Sequence, residues 1–264
     1  MDNKVERQIQ YFDNVAEKYF NARLSKNYIE FYKLLYDEVF RYMPKFAPGQ
    51  KIEVLEAMCG SGNGKRLVEE HYRNEVEYTG FDYSQEMIRL TQEKYPEINI
   101  YRQDVTTFVA DKKYDIVILL AGLHHVPDYI DTILTQLKRS LKPKGVFLNF
   151  EPTFNNFFMK MISEHIYKKN DLFDEATERR LGLTELNKSY LAAGFNIKYQ
   201  LYFGLLGYIL WCNPDAFPKL NIGGINLVRK VFTFEKRLFT SLFAKKVSFT
   251  TISICGIPED ITTS

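Results

Sequence analysis

Residues 54–64 read Val54-Leu55-Glu56-Ala57-Met58-Cys59-Gly60-Ser61-Gly62-Asn63-Gly64. An apolar run carries a carboxylate near its end, then a turn of small residues opens a polar helix. A strand, a glycine turn and a helix N-terminus in that order let backbone N–H groups come close to a ligand. A dinucleotide fingerprint needs G-x-G-x-x-G with its acid after the second strand, whereas here the glycines fall as G-x-G-x-G and Glu56 precedes them. A phosphate-cradling G-x-x-x-x-G-K-[ST] would place Cys59 at the first glycine and Arg66 at the Mg²⁺-holding hydroxyl, although Gly64-Lys65 matches. A carboxylate ahead of the turn repels a pyrophosphate and suits a ligand with an amino-acid end. The same turn alone also describes a plain strand-to-helix connection, so the flanking segments decide.

Val76–Asp82 (VEYTGFD) reads as a second strand. It ends in an acid about twenty residues past the glycine loop, the separation at which an acid on a neighbouring strand meets a ribose diol. Asp82 is therefore the ribose-ligand candidate. Ser84 is a helix N-cap, and Gln85 to Lys94 puts Met87, Ile88 and Leu90 on a buried helical face. Ile98 to Arg102 is a third strand running into Gln103-Asp104-Val105. Tyr114 to Leu120 is almost continuously apolar, as a parallel strand covered on both faces requires. Leu141 to Gly145 is a turn and Val146 to Phe150 a fifth strand. Thr184 to Ala193 is a helix stopped by Gly194, and Asn196 to Tyr202 and Val247 to Gly256 are the last strands. Strand and helix alternate from Lys51 to Glu151, which predicts a doubly wound, Rossmann-like, mainly parallel α/β sheet.

Together these segments resemble the class I S-adenosylmethionine (SAM)-dependent methyltransferases, in the small-molecule group with a YDxV strand (Tyr114-Asp115-Ile116-Val117) and an LHHV-type loop (Leu123 to Val126). The resemblance covers most of the chain. It implies SAM as cofactor, with Glu56 helping to hold the methionyl amine and Gly60 and Gly62 letting the backbone approach. It also implies Asp82 on the ribose, Asp104 and the Val105 backbone at the adenine edge, Tyr83 and Met87 as walls against the adenine ring, and Ala121 backbone near the methionyl end. Tyr11-Phe12-Asp13 with Ala16 to Tyr19 resembles the FDxxAxxY opening of the group, a segment that folds over SAM in those relatives, so Tyr19 is a lid contact. The resemblance further implies an antiparallel terminal strand. One departure stands out: Met58 occupies the position of the first loop glycine, which predicts altered packing beneath the loop.

Methyl transfer is an in-line displacement, so a protein base is needed only where the acceptor must lose a proton. His124 and His125 follow the fourth strand, at the carboxyl edge where ligands bind such sheets, and their side chains are expected to point to different sides. His125 is the favoured base, because the LHHV loop most often retains a histidine there; His124 is second, and Glu151 orients substrate or histidine. Both histidines could instead serve only to tie down the loop. A metal role is not expected: adjacent histidines share one ion poorly, and neither His71 nor His165 has a partner at ligand spacing. The Asn/Asp-Pro-Pro-aromatic tetrad of nucleobase and amide N-methyltransferases is replaced by Ala121-Gly122-Leu123-His124.

The chain has 264 residues and a formal net charge of +2, with no nucleic-acid footprint. Three cysteines without C-x-x-C spacing read as reduced thiols, and a polar start is unlike a signal peptide, so the expected location is cytoplasmic. The expected organisation is an N-terminal helical lid (1–47), a SAM-binding core (48–203), a helical insertion covering substrate (204–246), and the last strand with a tail (247–264). The insertion reads as subdomain core, as a wall for an apolar, aromatic or lipid-linked substrate, or as a membrane-surface contact. The resulting expectation is methyl transfer to a small, partly apolar acceptor, at oxygen. Its rivals are a SAM-binding module that transfers nothing and a dehydrogenase, the latter requiring preferential NAD binding.

Overall fold

The computed structural model describes residues 3–155, 160–162, 164–165, 177–214, 217 and 219–258. The expected tail beyond residue 258 and the first two residues of the lid lie outside them. Two helices come first, α1 (Asn3–Ala22) and α2 (Lys26–Val39). The core then runs β1 (Ile52–Ala57), α3 (Asn63–His71), β2 (Val76–Asp82), α4 (Gln85–Lys94), β3 (Ile100–Arg102), β4 (Tyr114–Leu120), α5 (Ile130–Arg139) and β5 (Leu141–Phe154). It closes with β6 (Leu181–Gly182), α6 (Leu183–Ala192), β7 (Asn196–Phe203), α7 (Ile225–Glu235), α8 (Leu242–Val247) and β8 (Thr250–Gly256). No helix among the described residues is long and apolar enough to cross a membrane.

The sheet order is β3-β2-β1-β4-β5-β8-β7, with β6 added to β5. Strands β1 to β5 pair in parallel, and β8 lies antiparallel between β5 and β7. The apolar β4 shows why the sheet is covered twice. Ile116 and Ile118 face the cluster shared with Phe31 and Val54, while Val117 and Leu119 face the one shared with Leu55 and Leu134, as period-two alternation demands. At the other end of this strand, Asp115 accepts the Glu53 N–H at 2.9 Å and the Lys142 ammonium at 2.8 Å. The acid of the YDxV strand thus ties strand starts together on the edge away from the glycine turn.

Two boundaries differ from expectation. The last strand begins at Thr250 because Ser241 caps α8, its Oγ accepting the Ala244 N–H at 3.1 Å, and that helix takes up Val247. The expected turn at Leu141–Gly145 is drawn into β5 as an irregularity: pairing jumps from Tyr114↔Leu141 to Ile116↔Val146, and Lys144 takes a φ of 65°.

Helix α1 and the turn that follows β7 pack on the core through aromatic contacts, Phe12 against Tyr83 and Tyr208 against Phe249. Asp13 of α1 accepts from Ser84 Oγ at 2.6 Å and from the Glu86 N–H at 3.2 Å, which fixes α1 over α4. In the insertion, residues 208–212 form a π-helical turn. Buried Glu235 of α7 accepts the N–H groups of Leu206 and Gly207 and thereby holds the start of that turn. A side chain at Gly207 would stand 2.3 Å from the Phe31 ring, so glycine is what lets the turn seat against α2.

Candidate active site

At the carboxyl edge, β1 and β4 each end in a non-glycine residue with left-handed backbone: Met58 at φ 52° and Ala121 at φ 58°. Such conformations cost about 1 kcal/mol or more and persist where surrounding structure enforces them. Met58 stands at a position whose backbone suits glycine, which accounts for the glycine of related loops. Its side chain fills the space beside Gly122, where a Cβ would meet Met58 Sδ at 2.7 Å. Met58 thus packs against the loop after β4 while holding the left-handed conformation of the turn.

Glu56 is buried, and its Oε2 accepts the Gly64 N–H at 2.9 Å and the Tyr78 hydroxyl. A Cβ on Gly64 would stand 2.6 Å from that oxygen, so the third glycine makes room for the carboxylate. Burial pushes the Glu56 carboxyl up to about 8, against the two hydrogen bonds and with Asp82 adding to the rise. Asp82 accepts the Gly60 N–H on one oxygen and the Ser84 N–H on the other, each at 2.9 Å. Burial raises its carboxyl too, opposed by those N–H groups and by His125. Gly60 and Gly62 lie at φ 48° and 66°. A Cβ at Gly60 would meet nothing within 4 Å, leaving an open face above the turn.

A cavity opens over this turn, lined among others by Glu56, Met58, Gly60, Ala121, His124 and His125. Tyr19 of α1 joins the lining, with the Arg23 guanidinium 3.3 Å above its ring centroid. Seven expected site residues lie outside the lining, Gly62 and Glu151 among them. Tyr83, Met87 and Val105 are buried, Asp82 is tied into the loop, and Asp104 forms an Asx turn with Thr106 at 2.8 Å. Phe12 of α1 covers this side, 6.0 Å from the Tyr83 ring and 4.9 Å from the His125 ring.

The two histidines do not diverge as expected. The loop winds into a short 3₁₀ turn, and their ring centroids lie 3.9 Å apart. Each ring faces its own carboxylate. His124 Nδ1 is 2.9 Å from Glu151 Oε2, while the other Glu151 oxygen accepts the N–H groups of Gly122 and Leu123 at 3.0 and 2.9 Å. His125 Nδ1 is 3.0 Å from Glu178 Oε1, off the line a hydrogen bond needs. Glu178 also reaches α1, since Gln8 donates to it at 3.4 Å. Burial, helped by His125, holds His124 below the usual imidazole value despite Glu151. At His125 burial opposes charge, but Glu178, with Glu151 and Asp82, outweighs it and raises the imidazole. Ligand atoms of His124, His125 and Glu178 all lie within 4.8 Å of one another, a closer grouping than expected of adjacent histidines.

Sequence reasoning missed three features of this cavity. Glu178 carries no periodic signal in its segment. Tyr28, Tyr32 and Tyr36 do: spaced by four, they fall on one face of α2, and all three line the cavity. Adjacent rings lie 4.3 and 6.1 Å apart, and burial raises all three phenols, which keeps them protonated donors. Tyr32 Oη lies 3.1 Å from Cys212 Sγ, a thiol that burial pushes up to about 12. The Tyr36 hydroxyl is buried with no partner among the described residues. Buried hydroxyls of this kind cost free energy unless a ligand satisfies them.

Residues 54–145 match the family model described as a methyltransferase domain. Similar curated proteins include the demethylmenaquinone methyltransferases of Listeria welshimeri and Bacillus velezensis. The first is 26% identical over 179 residues, covering 57% of this chain and 73% of the relative. The second is 26% identical over 176 residues, covering 58% and 75%. Among solved structures, the DhpI complex with S-adenosylhomocysteine (SAH) superposes at TM-score 0.59 with 14% identity, covering 98% of this chain and 100% of that one. A SAM-dependent methyltransferase from Clostridium acetobutylicum gives 0.57 at 12% identity, covering 94% and 98%. Likeness at these identities speaks to the fold.

Proposed function

This chain is a class I SAM-dependent methyltransferase, and from that premise we propose that it methylates a hydroxyl oxygen on a small, partly apolar, ring-bearing acceptor. The carrying observation is His124, held from behind by buried Glu151 and lining a cavity that also takes in the tyrosine row of α2. The relatives named demethylmenaquinone methyltransferase support a quinone-like ring.

The donor set fits the cofactor. Glu56 holds the methionyl ammonium, and the room above Gly60, with the Ala121 backbone, admits the methionyl end; Gly62 serves by its left-handed backbone, packed against Ile98 beneath the turn. Asp82 takes the ribose; each of its oxygens keeps a lone pair beyond the backbone bonds it already accepts. Tyr83 and Met87 would wall the adenine, with Asp104 and Val105 at its edge, once Phe12 moves off Tyr83, since none of the four lines the cavity as it stands. Tyr19 and Phe12 close the lid, and residues 204–246 cover the acceptor. Bound SAM supplies a methyl group activated by the adjoining sulfonium.

The protein's remaining tasks are to orient the acceptor and take up its proton. Of the two histidines, His124 is the better base. It is neutral near pH 7, and donation from Nδ1–H to Glu151 leaves Nε2 with a lone pair for the acceptor hydroxyl. His125, whose protonated form Glu178 favours, positions the loop and, when protonated, adds positive charge where an oxyanion develops.

The test is incubation with SAM and a panel of hydroxylated quinol and phenol rings, read by mass spectrometry for methylated product and SAH. A methyl ether is expected on a ring acceptor. Calorimetric binding of SAM with no product across the panel would favour the SAM-binding module instead. Absence of SAM binding, with NAD as control, would overturn both.

A further inference from the structure

Residues 219–227, Lys219-Leu220-Asn221-Ile222-Gly223-Gly224-Ile225-Asn226-Leu227, are exposed at every position. Four aliphatic side chains project from them: Leu220 is 37% exposed, Ile222 51%, Ile225 36% and Leu227 39%. A protein keeps such a cluster in water only at a cost, and it marks a contact surface. The chemistry around it is one-signed. From Phe217 to Phe234 the sequence holds Lys219, Arg229 and Lys230 and no acid, and the exposed Lys26 begins the adjoining helix α2. Arg229 is neutralised by Glu30 at 2.6 Å, which leaves the lysines to give the tip its positive field.

The tip is fastened to the walls of the cavity. Trp211 of the π-helical turn donates from Nε1 to the Ile222 carbonyl at 3.0 Å, and the next residue, Cys212, lines the cavity. Asn27 donates to Asn221 Oδ1 at 2.9 Å and to the Gly223 carbonyl at 3.1 Å, and its neighbour Tyr28 lines the cavity too. Gly223, at φ 74°, makes the bend that exposes Ile222 and Ile225 on either side.

We propose that this tip is a docking surface for an anionic lipid bilayer: Leu220, Ile222, Ile225 and Leu227 enter the interface, and Lys26, Lys219 and Lys230 face the headgroups. Aliphatic groups backed by lysines, with Glu30 paired to Arg229, match a surface that is apolar beneath and negative above. Anchorage to the cavity walls gives docking a purpose, delivery of an acceptor carried in the membrane. That purpose rests on the acceptor reading above, whereas the docking itself does not.

The test is flotation of the full chain with vesicles of phosphatidylcholine alone and with about one third phosphatidylglycerol. Binding is expected to the anionic vesicles only, weakening as salt rises toward about 0.5 M. Ile222→Ser with Ile225→Ser, and separately Lys219→Glu with Lys230→Glu, are each expected to lower vesicle binding by about tenfold or more. Both pairs are exposed, and unchanged SAM affinity and melting temperature would show that the fold persists. Wild-type protein that ignores anionic vesicles, or binding indifferent to both double variants, would overturn the proposal. So would a self-association in solution that the Ile222/Ile225 pair abolishes. Vesicle binding without methylation of any ring acceptor would leave the docking standing and count against the acceptor reading alone.

Discussion

Glu151 joins His124 to the backbone of its own loop: one carboxylate oxygen accepts two consecutive N–H groups, and the other lies 2.9 Å from His124 Nδ1. One buried acid thus fixes both the position of the loop and the tautomer of the imidazole. His124→Ala should lower kcat by about 10²- to 10⁴-fold with SAM affinity intact. Glu151→Gln should lower it less and leave Nε2 as the proton acceptor in a smaller population. Because burial holds His124 below its usual value, wild-type activity should rise with pH with its midpoint below the usual imidazole value of about 6.5. The pH–rate profile of the His124 variant should lack that limb. A rate unchanged in His124→Ala would remove it from the chemistry.

Proton bookkeeping at Glu56 gives a second prediction. Its carboxyl titrates at about 8 in the fold against 4.5 as a free side chain, so the folded state holds an extra proton between those values. This contribution to stability is complete below about pH 4.5 and drains away as pH rises through about 8. Thermal melts should therefore fall toward alkaline pH in wild type and fall less in Glu56→Gln. A methionyl ammonium favours the ionised carboxylate, so SAM binding near pH 7 should release a proton. Calorimetry in buffers of different ionisation enthalpy would read it directly, and buffer-independent heat would place the ammonium elsewhere.

Gly64 sits in the first turn of α3, where alanine would ordinarily help by up to about 1 kcal/mol. Here the added Cβ would fall 2.6 Å from Glu56 Oε2 and cost the bond that carboxylate receives. Gly64→Ala should therefore destabilise, by about 1 to 3 kcal/mol in denaturant melts, and weaken SAM binding. A neutral or stabilising result would mean that Glu56 moves aside freely.

Met58 and Gly122 are coupled by contact, since a Cβ at Gly122 would meet Met58 Sδ at 2.7 Å and Leu119 at 3.0 Å. Gly122→Ala should cost about 1 to 2 kcal/mol, and at least about 0.5 kcal/mol less in a Met58→Ala background. A double-mutant cycle with no coupling would show that Leu119 alone sets the limit.

Elements were legible where a local signal sets both ends. The Asp82-Tyr83-Ser84 junction is one: Ser84 Oγ accepts the Met87 N–H at 3.1 Å, and both β2 and α4 run as their caps dictate. The start of β8 was not legible, because Val247 is β-branched yet belongs to a helix capped six residues earlier by Ser241. Met58 was visible as a departure but not as a left-handed residue, since φ follows from the strand end and glycine turn around it. The histidine pair failed for a tertiary reason: the two rings are placed by carboxylates 27 and 53 residues away in sequence, Glu151 and Glu178. The tyrosines at 28, 32 and 36 were legible as a helix face; what that face lines depends on where the insertion lands.

That face supplies the last prediction. Tyr36 is 2% exposed and its hydroxyl has no partner among the described residues, although it lines the cavity beside the glycine turn. Carrying a buried hydroxyl unsatisfied costs the folded protein about 1 to 3 kcal/mol. Tyr36→Phe removes that penalty while keeping the ring, so the ligand-free protein should gain about 1 kcal/mol in denaturant melts. If the hydroxyl instead waits for an acceptor oxygen, the same variant should bind its ring acceptor more weakly. KM should then rise by about three- to thirtyfold, with little change in kcat. Tyr32→Phe is the control: its hydroxyl already lies 3.1 Å from Cys212 Sγ, so its loss should stabilise nothing. A Tyr36 variant that gains stability at unchanged KM would mean that the hydroxyl is an unpaid packing cost; one that loses on both counts would mean that it has a partner in the folded protein.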